Sequence, residues 1–596
     1  MSEEKQNIWI FTFEYTGIVK VGGLGEVPAN QTKHLTNDYD ITVFIPSHGQ
    51  LEMLGKSHQL EKLPFNCVGQ INPSHFGIND PETSYNISFY KTRINNVNII
   101  ILCGENPFTS KFIDDKIVYN PDTLSGKICL FSIGMRCYID FLIDNSREKI
   151  PEIIHIHDYH AVIAFIGIKQ ILAKNGLDVA SLITIHLLTW PRYPIDFFRT
   201  CGIDHTPITI HAKEGLKSLN IHEVFSICEG MSEGYQYPTV ELIGAFVSDL
   251  VTTVSQSYLK SDIIPNCGRD LIEFKSDFVW DGCDWDYNKI LQQVLENHEQ
   301  EIRQVLYISP EKAITLADMK EYLLTYKLSH LNKSPLIQSE KVLTVINEIT
   351  NEEEFVKNGY IKSFNDSGPL VITTGRISPQ KGFETILEAI PSIIKVIPNA
   401  KFLLLILPTD YSLNEIKSYS YYAKKYPNNL RIIYGVATDI FHLAHISSDV
   451  YCALSRWEPF GIIILEAMSV KLPVIATKVG GFQETIIDIR NFPEIGTGIL
   501  IEKDNPQKFA EALISLFKLK EISEKVKNKE EIYEVENFRI VNQIPDKILE
   551  SLVLLDPNYY NKIKENCYKR VENNFRWNIV SKKLIDLYTM IKKIRS

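Results

Sequence analysis

The segment from Arg456 to Glu466 carries two glutamates, Glu458 and Glu466, with seven residues between them. We expect Glu458 to lie in a loop and a helix to begin near Phe460 or Gly461. The first backbone N–H groups of a helix have no partner within it and favour an anion. A diphosphate suits that position, and Glu466, about a turn further along, can accept hydrogen bonds from ribose hydroxyls. Taken alone, the two glutamates are also compatible with an ordinary loop and helix.

A second segment, GRISPQKG at residues 375–382, adds two cations. Arg376 and Lys381 lie five residues apart, across a turn that follows an apolar strand and leads into a helical pattern. Both can converge on one anion, and charge-assisted hydrogen bonds to phosphate contribute about 1.5–3 kcal/mol each. The competing interpretation is a solvated surface pair. The position at the end of a strand favours phosphate binding.

The N-terminal segment KVGGLGE, residues 20–26, is a glycine-rich turn between a strand and a helix. Glycines let backbone N–H groups approach a ligand closely, and the helix that follows favours an anion. The spacing matches neither the Gly-x-Gly-x-x-Gly fingerprint nor a Walker loop. A phosphate site and a simple tight turn are therefore equally compatible with this pattern. The residues that would contact a donor here are Lys20, Gly22 and Gly23.

Residues 155–160 read His-Ile-His-Asp-Tyr-His. His155 and His157 share one face of the predicted strand, which raises a metal-enzyme hypothesis, with Asp284 as a further candidate ligand. The spacing is one residue off a metallo-hydrolase motif, and no companion His/Cys cluster follows. We favour a strand end that binds hydroxyl groups of a substrate and predict no metal. The candidate acceptor residues are His155, His157, Asp158 and His160.

Short apolar strands alternate with helical stretches in two series, and each strand run ends in polar residues. Continuous apolar strands separated by helices predict parallel sheets covered on both faces. The fold class is therefore α/β, with two doubly wound Rossmann-like units, and we expect the chemistry in a cleft between them, beyond the carboxyl ends of the strands. The strand runs are NIWIFTFEY, DITVFIPSH, NVNIIILC, EIIHIH, SLITIH and LVTTVS, then PLVITTGR, KFLLLIL, LRIIYG, VYCALS and LPVIATKV.

Three segments lie outside this alternation. Residues 288–363 are charged and helix-compatible, and we expect a linker with surface additions. Residues 518–555 have the composition of a solvated insertion with charges of both signs. The C-terminal segment, residues 577–596, has apolar residues at helical spacing and predicts an amphipathic helix.

The composition of the 596 residues excludes several protein classes. With 44% hydrophobic and 23% charged residues, the chain is globular, neither disordered nor collagen-like. A net charge of −11 argues against a broad nucleic-acid surface. The ten cysteines form no Cys-x-x-Cys pair, and no apolar run reaches the length of a membrane span. The acidic start MSEEKQNIWIF has no cleavage-site pattern, so we expect no signal peptide. We expect a cytoplasmic protein that binds neither nucleic acid nor membrane.

Together these segments resemble the glycogen and starch synthase family of retaining glucosyltransferases. The matching motifs occur in family order over nearly the whole chain. They are KVGGLGEV (20–27), HIHDYH (155–160), TIH (184–186), SDLVTTVSQSY (248–258), DGCD (281–284), GRISPQKG (375–382), SRWEPFGIIILEAM (455–468), VGGFQET (479–485) and NNFRW (573–577).

The resemblance implies a GT-B architecture and a reaction. We expect an acceptor-side starch synthase catalytic domain at residues 1–345, rejoined by the helix at 577–596, and a nucleotide-sugar-binding domain at residues 346–576. The implied reaction moves glucose from ADP-glucose or UDP-glucose to the nonreducing end of glycogen or a maltooligosaccharide. The anomeric configuration is retained, and neither cofactor nor metal is required. The preferred nucleotide and the oligomeric state, including a homo-oligomer, are left open.

The resemblance also implies roles for single residues. Arg376 and Lys381 would hold the diphosphate and offset its developing charge. Glu458 would contact the transferred glucose, and His186 would lie beside the anomeric carbon, so these four residues are the implied catalytic set. The remaining implied donor contacts are Lys20, Gly22, Gly23, Phe460, Gly461 and Glu466.

Three positions depart from the family pattern: Glu26 stands where Asp is common, Leu187 where Asn follows TIH, and Thr239–Glu241 where many members have a lysine. The departures concern the acceptor side, while the donor motifs are intact. Two alternative functions therefore stay open beside the metal enzyme. They are a transferase with a small sugar or sugar-phosphate acceptor and a catalytically silent glucan-binding protein.

Overall fold

The computed structural model describes residues 5–232, 234–332, 335–337, 339–349, 361–526 and 535–595. These residues form two compact units. One comprises residues 1–282 together with 577–596, and the other residues 283–576. No helix among the described residues is long and apolar enough to cross a membrane.

The first unit is built on a nine-stranded sheet of described residues, in the order β11-β10-β7-β6-β1-β2-β5-β4-β3. All neighbours are parallel except the pairs β3–β4 and β4–β5, and β8 and β9 form a separate hairpin. The strands are β1 (Gln6–Phe11), β2 (Tyr39–Pro46), β3 (Glu61–Ile71), β4 (Thr83–Ile94), β5 (Val97–Gly104), β6 (Ile153–His157), β7 (Ala180–Ile185), β8 (Ile208–Ala212), β9 (Gly215–Leu219), β10 (Leu250–Thr253) and β11 (Ser276–Phe278).

Helices lie on this sheet because its central strands are apolar on both faces. Trp9 of β1 packs on Phe44 of β2, with 4.6 Å between ring centroids, and on Tyr138 at 5.6 Å. The helices are α1 (Glu26–Leu35), α2 (Leu51–Ser57), α3 (Pro107–Ile113), α4 (Leu124–Asn145), α5 (Val162–Lys174), α6 (Ile195–Thr200), α7 (Ile221–Glu229), α8 (Val240–Val247), α9 (Gln256–Tyr258) and α10 (Ile264–Asn266).

The second unit contains a parallel sheet in the order β14-β13-β12-β15-β16-β17. Its strands are β12 (Leu370–Arg376), β13 (Lys401–Leu407), β14 (Leu430–Tyr434), β15 (Val450–Ala453), β16 (Val474–Thr477) and β17 (Gly498–Ile501). Its helices are α11 (Tyr287–Val305), α12 (Leu316–Thr325), α13 (Glu340–Ile349), α14 (Phe383–Val396), α15 (Leu413–Lys425), α16 (Phe441–Ser447), α17 (Ile462–Ser469), α18 (Phe482–Thr485), α19 (Pro506–Lys525), α20 (Val535–Val541), α21 (Lys547–Leu555) and α22 (Tyr559–Asn574). Two parallel sheets with covering helices confirm the predicted fold class.

The last helix, α23 (Trp577–Arg595), belongs to the first unit. Its apolar face packs against the first sheet through residues such as Leu584 and Leu587. The Tyr588 hydroxyl lies 2.8 Å from Nδ1 of His155 on β6. The chain therefore returns to its first unit only at its end.

Residues 288–349 are not a linker. Helix α12 buries Met319, Tyr322 and Leu323, and both α11 and α12 pack on α16 of the second unit. The compact units consequently divide between residues 282 and 283, earlier than the boundary at 345 that we expected. The charged pattern was misleading because one narrow apolar face is enough to dock a helix. The polar segment NEITNEEEF continues beyond the described residues.

Residues 518–555 are likewise packed where they are described. Helix α19 runs through Lys525 and buries Leu519 and Ile522, and α21 buries Leu549 and Val553. The expected solvated insertion is therefore wrong for residues 518–526 and 547–555. Residues 527–534 lie outside the described part of the chain.

Each unit has a buried aspartate directly before a sheet strand. Asp249 precedes β10 and accepts hydrogen bonds from the backbone N (2.8 Å) and Oγ (2.9 Å) of Ser181. Asp449 precedes β15 and accepts one from the backbone N of Leu370 at 2.7 Å. Both follow a serine in the sequence. The two aspartates tie neighbouring strands together at the amino-terminal edge of each sheet.

Asp249 also neutralises buried cations. Its side chain receives a hydrogen bond from Arg595 of α23 at 2.6 Å. Burial acts to raise the pKa of Asp249, but the charges of Lys169 and Arg595 outweigh it and hold the pKa below its usual value. Lys275 lies near the same carboxylate, and its burial lowers its own pKa to about 7. The Asp249 carboxylate is therefore the counter-charge for several buried cations of the first unit.

We expect Asp249→Asn to reduce the stability of the first unit by about 3–5 kcal/mol, because the change leaves buried cations without their counter-charge. The measurement is chemical unfolding followed by tryptophan fluorescence. Asp178→Asn is the matched control, since Asp178 pairs with the same Arg595 but is partly exposed. That variant should lose at most about 1 kcal/mol. Equal effects of the two substitutions would contradict the role assigned to Asp249.

Candidate active site

Strand β12 ends at Arg376, whose side chain is exposed at the carboxyl edge of the second sheet. The turn that follows leads into α14, with Gly382 as its N-cap at φ +60°. A Cβ at Gly382 would overlap the carbonyl oxygen of Leu454, so only glycine fits this approach of two loops. The turn also carries Lys381, whose Nζ points toward Glu458 in the loop at residues 455–461.

Lys381 and Glu458 form an ion pair, with Nζ 2.6 Å from Oε2 and side-chain exposures of 17% and 10%. The hydroxyl of Ser455 also donates to this Glu458 oxygen at 3.1 Å. An ammonium group has three N–H donors, and Glu458 uses one of them. The pair therefore presents a partly buried cation that retains donors for an anion.

The main chain of Glu458 is held by a glycine turn. The N–H of Gly481 donates to the carbonyl of Glu458 at 3.0 Å. A Cβ at Gly480, which has φ +40°, would overlap that carbonyl oxygen, and one at Gly481 would overlap Cα of Phe460. The absence of two side chains thus allows VGGFQET to lie directly against WEPFG, which fixes where Glu458 points.

Arg456 connects the loop at residues 455–461 to the loop at residues 376–382. Its N–H donates to the carbonyl of Gln380 at 2.7 Å, and its guanidinium donates to the carbonyl of Pro379 at 2.5 Å. Nε also pairs with Asp504 at 2.7 Å. The exposed Trp457 accepts a bond from the Gln380 side chain through its carbonyl at 3.0 Å. Loop 376–382 and loop 455–461 therefore form one assembly.

Helix α17 starts immediately after this assembly, with Gly461 as its N-cap at φ +93°. Phe460 is buried and packs on Phe575 at 6.0 Å between ring centroids, so its ring supports the loop and has no exposed face for a ligand. Glu466 lies half-buried in α17. Burial raises the pKa values of Tyr451 and Cys283, and the negative charge of Glu466 adds to that rise.

The N-terminal glycine loop is organised by Glu14, which was not among the predicted site residues. Its Oε2 accepts the backbone N–H groups of Val21 (2.6 Å) and Gly22 (3.0 Å), and its Oε1 accepts the Tyr119 hydroxyl at 2.6 Å. Lys20 is exposed and pairs with Glu26 at 2.5 Å. The sequence did contain a signal for Glu14, because it is a carboxylate that lies near the end of β1 and just before a glycine loop.

His155 does not line a surface. Its side chain is buried in the first unit, and both ring nitrogens are engaged, Nδ1 with Tyr588 and Nε2 with Thr184 at 2.7 Å. It links β6 to β7 and to α23. The expectation that His155 binds an acceptor hydroxyl is therefore not supported by its position, because burial behind the neighbouring residues leaves its ring no accessible face.

The other predicted residues of this motif lie together at the carboxyl ends of β6 and β7. Nδ1 of His157 is 2.9 Å from Nε2 of His186, and the rings stack. Asp158 accepts the backbone N–H of His186 at 2.7 Å and adopts φ +58°. His160 stacks on Phe13. Positive φ in a non-glycine residue is uncommon and marks Asp158 as a constrained position.

Two nitrogens in this cluster, Nε2 of His157 and Nδ1 of His160, are buried without a hydrogen-bond partner among the described residues. Burial lowers the pKa of His186 and of His160 to about 3, and that of His157 well below its usual value. These rings are neutral at physiological pH. The described residues contain no group of three His, Cys, Asp or Glu side chains arranged to hold a metal.

A further exposed aromatic residue follows His186. Trp190 is 53% exposed and has φ +55°, which is unusual for a bulky residue. Its N–H and that of Thr189 donate to Oε1 of buried Glu241, each at 3.0 Å. Arg192 lies 3.9 Å from the ring centroid of Tyr235, which is also exposed. Glu241, one of the departures noted above, thus holds an aromatic loop.

Two families match this sequence. Residues 7–272 match "Starch synthase catalytic domain", and residues 358–532 match "Glycosyl transferases group 1". Together these ranges cover more than half of the chain. A probable glycogen synthase of Methanocaldococcus jannaschii is 22% identical over 511 residues, covering 82% of this chain and 81% of its own. A glycogen synthase of Oceanobacillus iheyensis is 22% identical over 524 residues, covering 85% and 90%.

A solved structure shares the fold. The catalytic domain of starch synthase IV from Arabidopsis thaliana, bound to ADP and acarbose, superposes with a TM-score of 0.64 at 17% identity, covering 99% of this chain and 100% of that one. The fold and the matched families define a glycosyltransferase of GT-B architecture. Within that class, the chain belongs to the glycogen and starch synthase family, which confirms the predicted resemblance.

The buried histidines predict acid sensitivity. Their pKa values are lowered in the folded state, so the stability they contribute is complete above about pH 6.5 and is lost as the pH falls toward 3. We expect His160→Phe, which removes one such group, to make the fall in unfolding midpoint between pH 7.5 and 5 shallower than in wild type. Both proteins keep Asp158, so the comparison isolates His160.

The measurement is urea unfolding at several pH values. His75→Gln replaces an exposed histidine and should leave the pH dependence of the midpoint unchanged. If His160→Phe and wild type show the same slope, His160 is not a neutral buried group.

Proposed function

We propose that this protein transfers glucose from a nucleoside-diphosphate-glucose to the nonreducing end of an α-1,4-glucan, with retention at the anomeric carbon. The observation that carries the proposal is the Lys381–Glu458 ion pair, which lies just before α17. The Gly480–Gly481 turn holds the main chain of Glu458 in place. The ion pair occurs in a chain of the glycogen and starch synthase family, whose curated members align over most of their length. Both donor motifs keep every charged residue that the resemblance implies.

On the donor side, Arg376, Lys381 and the first N–H groups of α17 bind the diphosphate. As the glycosidic bond breaks, negative charge builds up on the leaving phosphate, and fixed cations near it lower the barrier. Lys381 can do so while it stays paired, since Glu458 takes only one of its three N–H donors. Phosphate charge is thus balanced by side chains and a helix terminus.

Glu458 and Glu466 recognise the sugars of the donor. Glu458, oriented through its own carbonyl and by Ser455, accepts hydrogen bonds from the transferred glucose and stabilises the positive charge that develops at its ring. Glu466 accepts from the ribose hydroxyls. We assign no nucleophile, because the leaving phosphate itself can take the acceptor proton on the same face of the sugar.

The first unit supplies the acceptor side. The loop with Lys20, Gly22 and Gly23 contacts the donor, and Glu14 sets its backbone. His186 lies beside the anomeric carbon, and its neutral ring donates or accepts a hydrogen bond without adding charge. Asp158 fixes the backbone N–H of His186, which orients that residue. His157, which stacks on His186, and His160 complete the acceptor side.

Trp190 extends the acceptor surface. It is exposed four residues beyond His186, and a buried glutamate holds it in a strained backbone conformation. A flat aromatic face suits the apolar side of a pyranose ring. Stacking on Trp190 would compensate for the asparagine and lysine that other family members carry and that this chain does not have.

The deciding experiment measures nucleoside diphosphate release from ADP-glucose and from UDP-glucose, with glycogen as acceptor and chelator present. Glucan-dependent release supports the proposal, and the faster donor identifies the nucleotide. Release that depends on a small sugar or sugar phosphate would support the alternative transferase. Binding of glycogen without release from either donor would support a silent glucan-binding protein.

We expect Lys381→Ala to lower turnover at least about 100-fold, because a single electrostatic donor at a developing charge contributes about 2.7–4 kcal/mol. Lys395→Ala is the matched control. Lys395 is exposed in the last turn of α14, a 14-residue helix that is about 20 Å long, and Lys381 precedes its first turn. Near-wild-type turnover of Lys381→Ala would remove Lys381 from the site.

We expect Trp190→Ala to raise the KM for glycogen about 2- to 10-fold, the effect of losing one aromatic contact, with the KM for the donor unchanged. Tyr307→Ala, which removes an exposed aromatic residue of the second unit, controls for surface changes and should alter neither value. An unchanged glycogen KM in Trp190→Ala would exclude Trp190 from the acceptor site.

A further inference from the structure

The second unit contains a lysine-rich cavity at the amino-terminal edge of its sheet. The cavity has a volume of about 150 Å³ and lies against a larger, more open pocket of about 420 Å³. Asp449, the residue before β15, forms part of its wall. Leu370 and Arg376 are the two ends of β12, so this cavity lies about 20 Å from the donor cations. It is therefore separate from the site described above.

Three lysines from three helices meet in this cavity: Lys320 of α12, Lys520 of α19 and Lys564 of α22. Lys320 lies 2.8 Å and Lys520 lies 3.1 Å from the carboxylate of Asp449. Lys520 also pairs with the largely exposed Glu524 at 2.7 Å. Two carboxylates thus face three ammonium groups, which leaves one positive charge in excess.

Lys564 is the cation without an ion pair. No carboxylate lies within ion-pair distance of it in the described part of the chain, although it is largely enclosed. Burial lowers the pKa of Lys564, because the charged form loses solvation there. Lys320 and Lys520 are engaged with Asp449, with Glu524 and with each other, whereas Lys564 retains all three of its N–H donors. The three ammonium groups line a space large enough for a small anion.

The cavity draws on both segments in which the sequence analysis found no family motif. Lys320 comes from residues 288–363 and lies outside both matched ranges, whereas Lys520 comes from residues 518–555 and lies inside the matched range 358–532. Helices α12 and α19 bring their lysines to the same aspartate. The adjoining larger pocket is lined by polar residues such as Ser367 and Asn399 together with apolar ones such as Val396 and Phe517.

We propose that the Lys320–Lys520–Lys564 cavity binds a phosphate group, either as the free ion or as the phosphate of a small polar phosphomonoester. A tetrahedral dianion can accept hydrogen bonds from Lys564 and attract the neighbouring charges of Lys320 and Lys520, and it reverses the excess charge. In an ester, the organic part would occupy the adjoining pocket. The proposal does not depend on the glucosyltransferase activity.

The test is calorimetric titration of the full chain in the Lys381→Ala background, which removes one of the two cations proposed to bind phosphate at the donor site. Inorganic phosphate and glycerol 3-phosphate are the probes, at constant ionic strength set with chloride. We expect phosphate to bind this variant, and a further Lys564→Gln change to weaken binding at least about tenfold. Lys569→Gln, an exposed lysine on the same helix, is the control and should leave binding unchanged.

Two further variants separate binding from folding. Lys564→Arg keeps the charge and should restore most of the affinity, and the thermal midpoint of Lys564→Gln should stay near that of Lys569→Gln. Tighter binding of glycerol 3-phosphate than of phosphate identifies an ester ligand, and the reverse identifies the free ion. Absence of phosphate binding in the Lys381→Ala background, or equal affinities of Lys564→Gln and Lys569→Gln, overturns the proposal. Neither result bears on glucosyl transfer.

Discussion

The donor side of this protein depends on two backbone segments that approach more closely than any side chain would allow. Gly480 and Gly481 lie against the main chain of Glu458 and Phe460, and an added methyl group would overlap a carbonyl oxygen or a Cα atom. Gly382 makes the same kind of approach to Leu454 on the neighbouring loop. Because the loops are in contact through their backbones, the positions of Lys381 and Glu458 are set with little freedom. Charged side chains on rigid supports lose less entropy when they bind, which is what electrostatic catalysis requires.

A second shared device holds the sheets beneath these loops. Asp249 and Asp449 occupy equivalent places in the two units, each before a strand and each bonded to a backbone N–H of a neighbouring strand. Each carboxylate also attracts buried cations, from α23 in one unit and from α12 and α19 in the other. Because Asp249 and Asp449 lie at the amino-terminal edges of the two sheets, the carboxyl-terminal edges remain available for ligand-binding loops.

Much of the fold was predictable because its central strands are continuous apolar runs, and such runs identify buried parallel strands. The antiparallel pair β3–β4 was missed for the opposite reason, since β3 alternates exposed and buried residues and includes Pro64. The residues proposed for the donor side, Arg376, Lys381 and Glu458, lie in short local motifs, so the sequence could single them out from spacing. The contacts of Glu14 and His155 could not be predicted, because their partners Tyr119 and Tyr588 are 105 and 433 residues away.

The return of α23 to the first unit has a consequence for how the protein is made. The first unit lacks one partner of His155 and one partner of Asp249 until residues 588 and 595 have been synthesised. At about 5–20 residues per second, the ribosome needs tens of seconds to translate the second unit that comes in between. During that time the first sheet is exposed along the face that α23 will cover, so the unit translated first is the one completed last. That apolar face is the surface that chaperones would shield at this stage of synthesis.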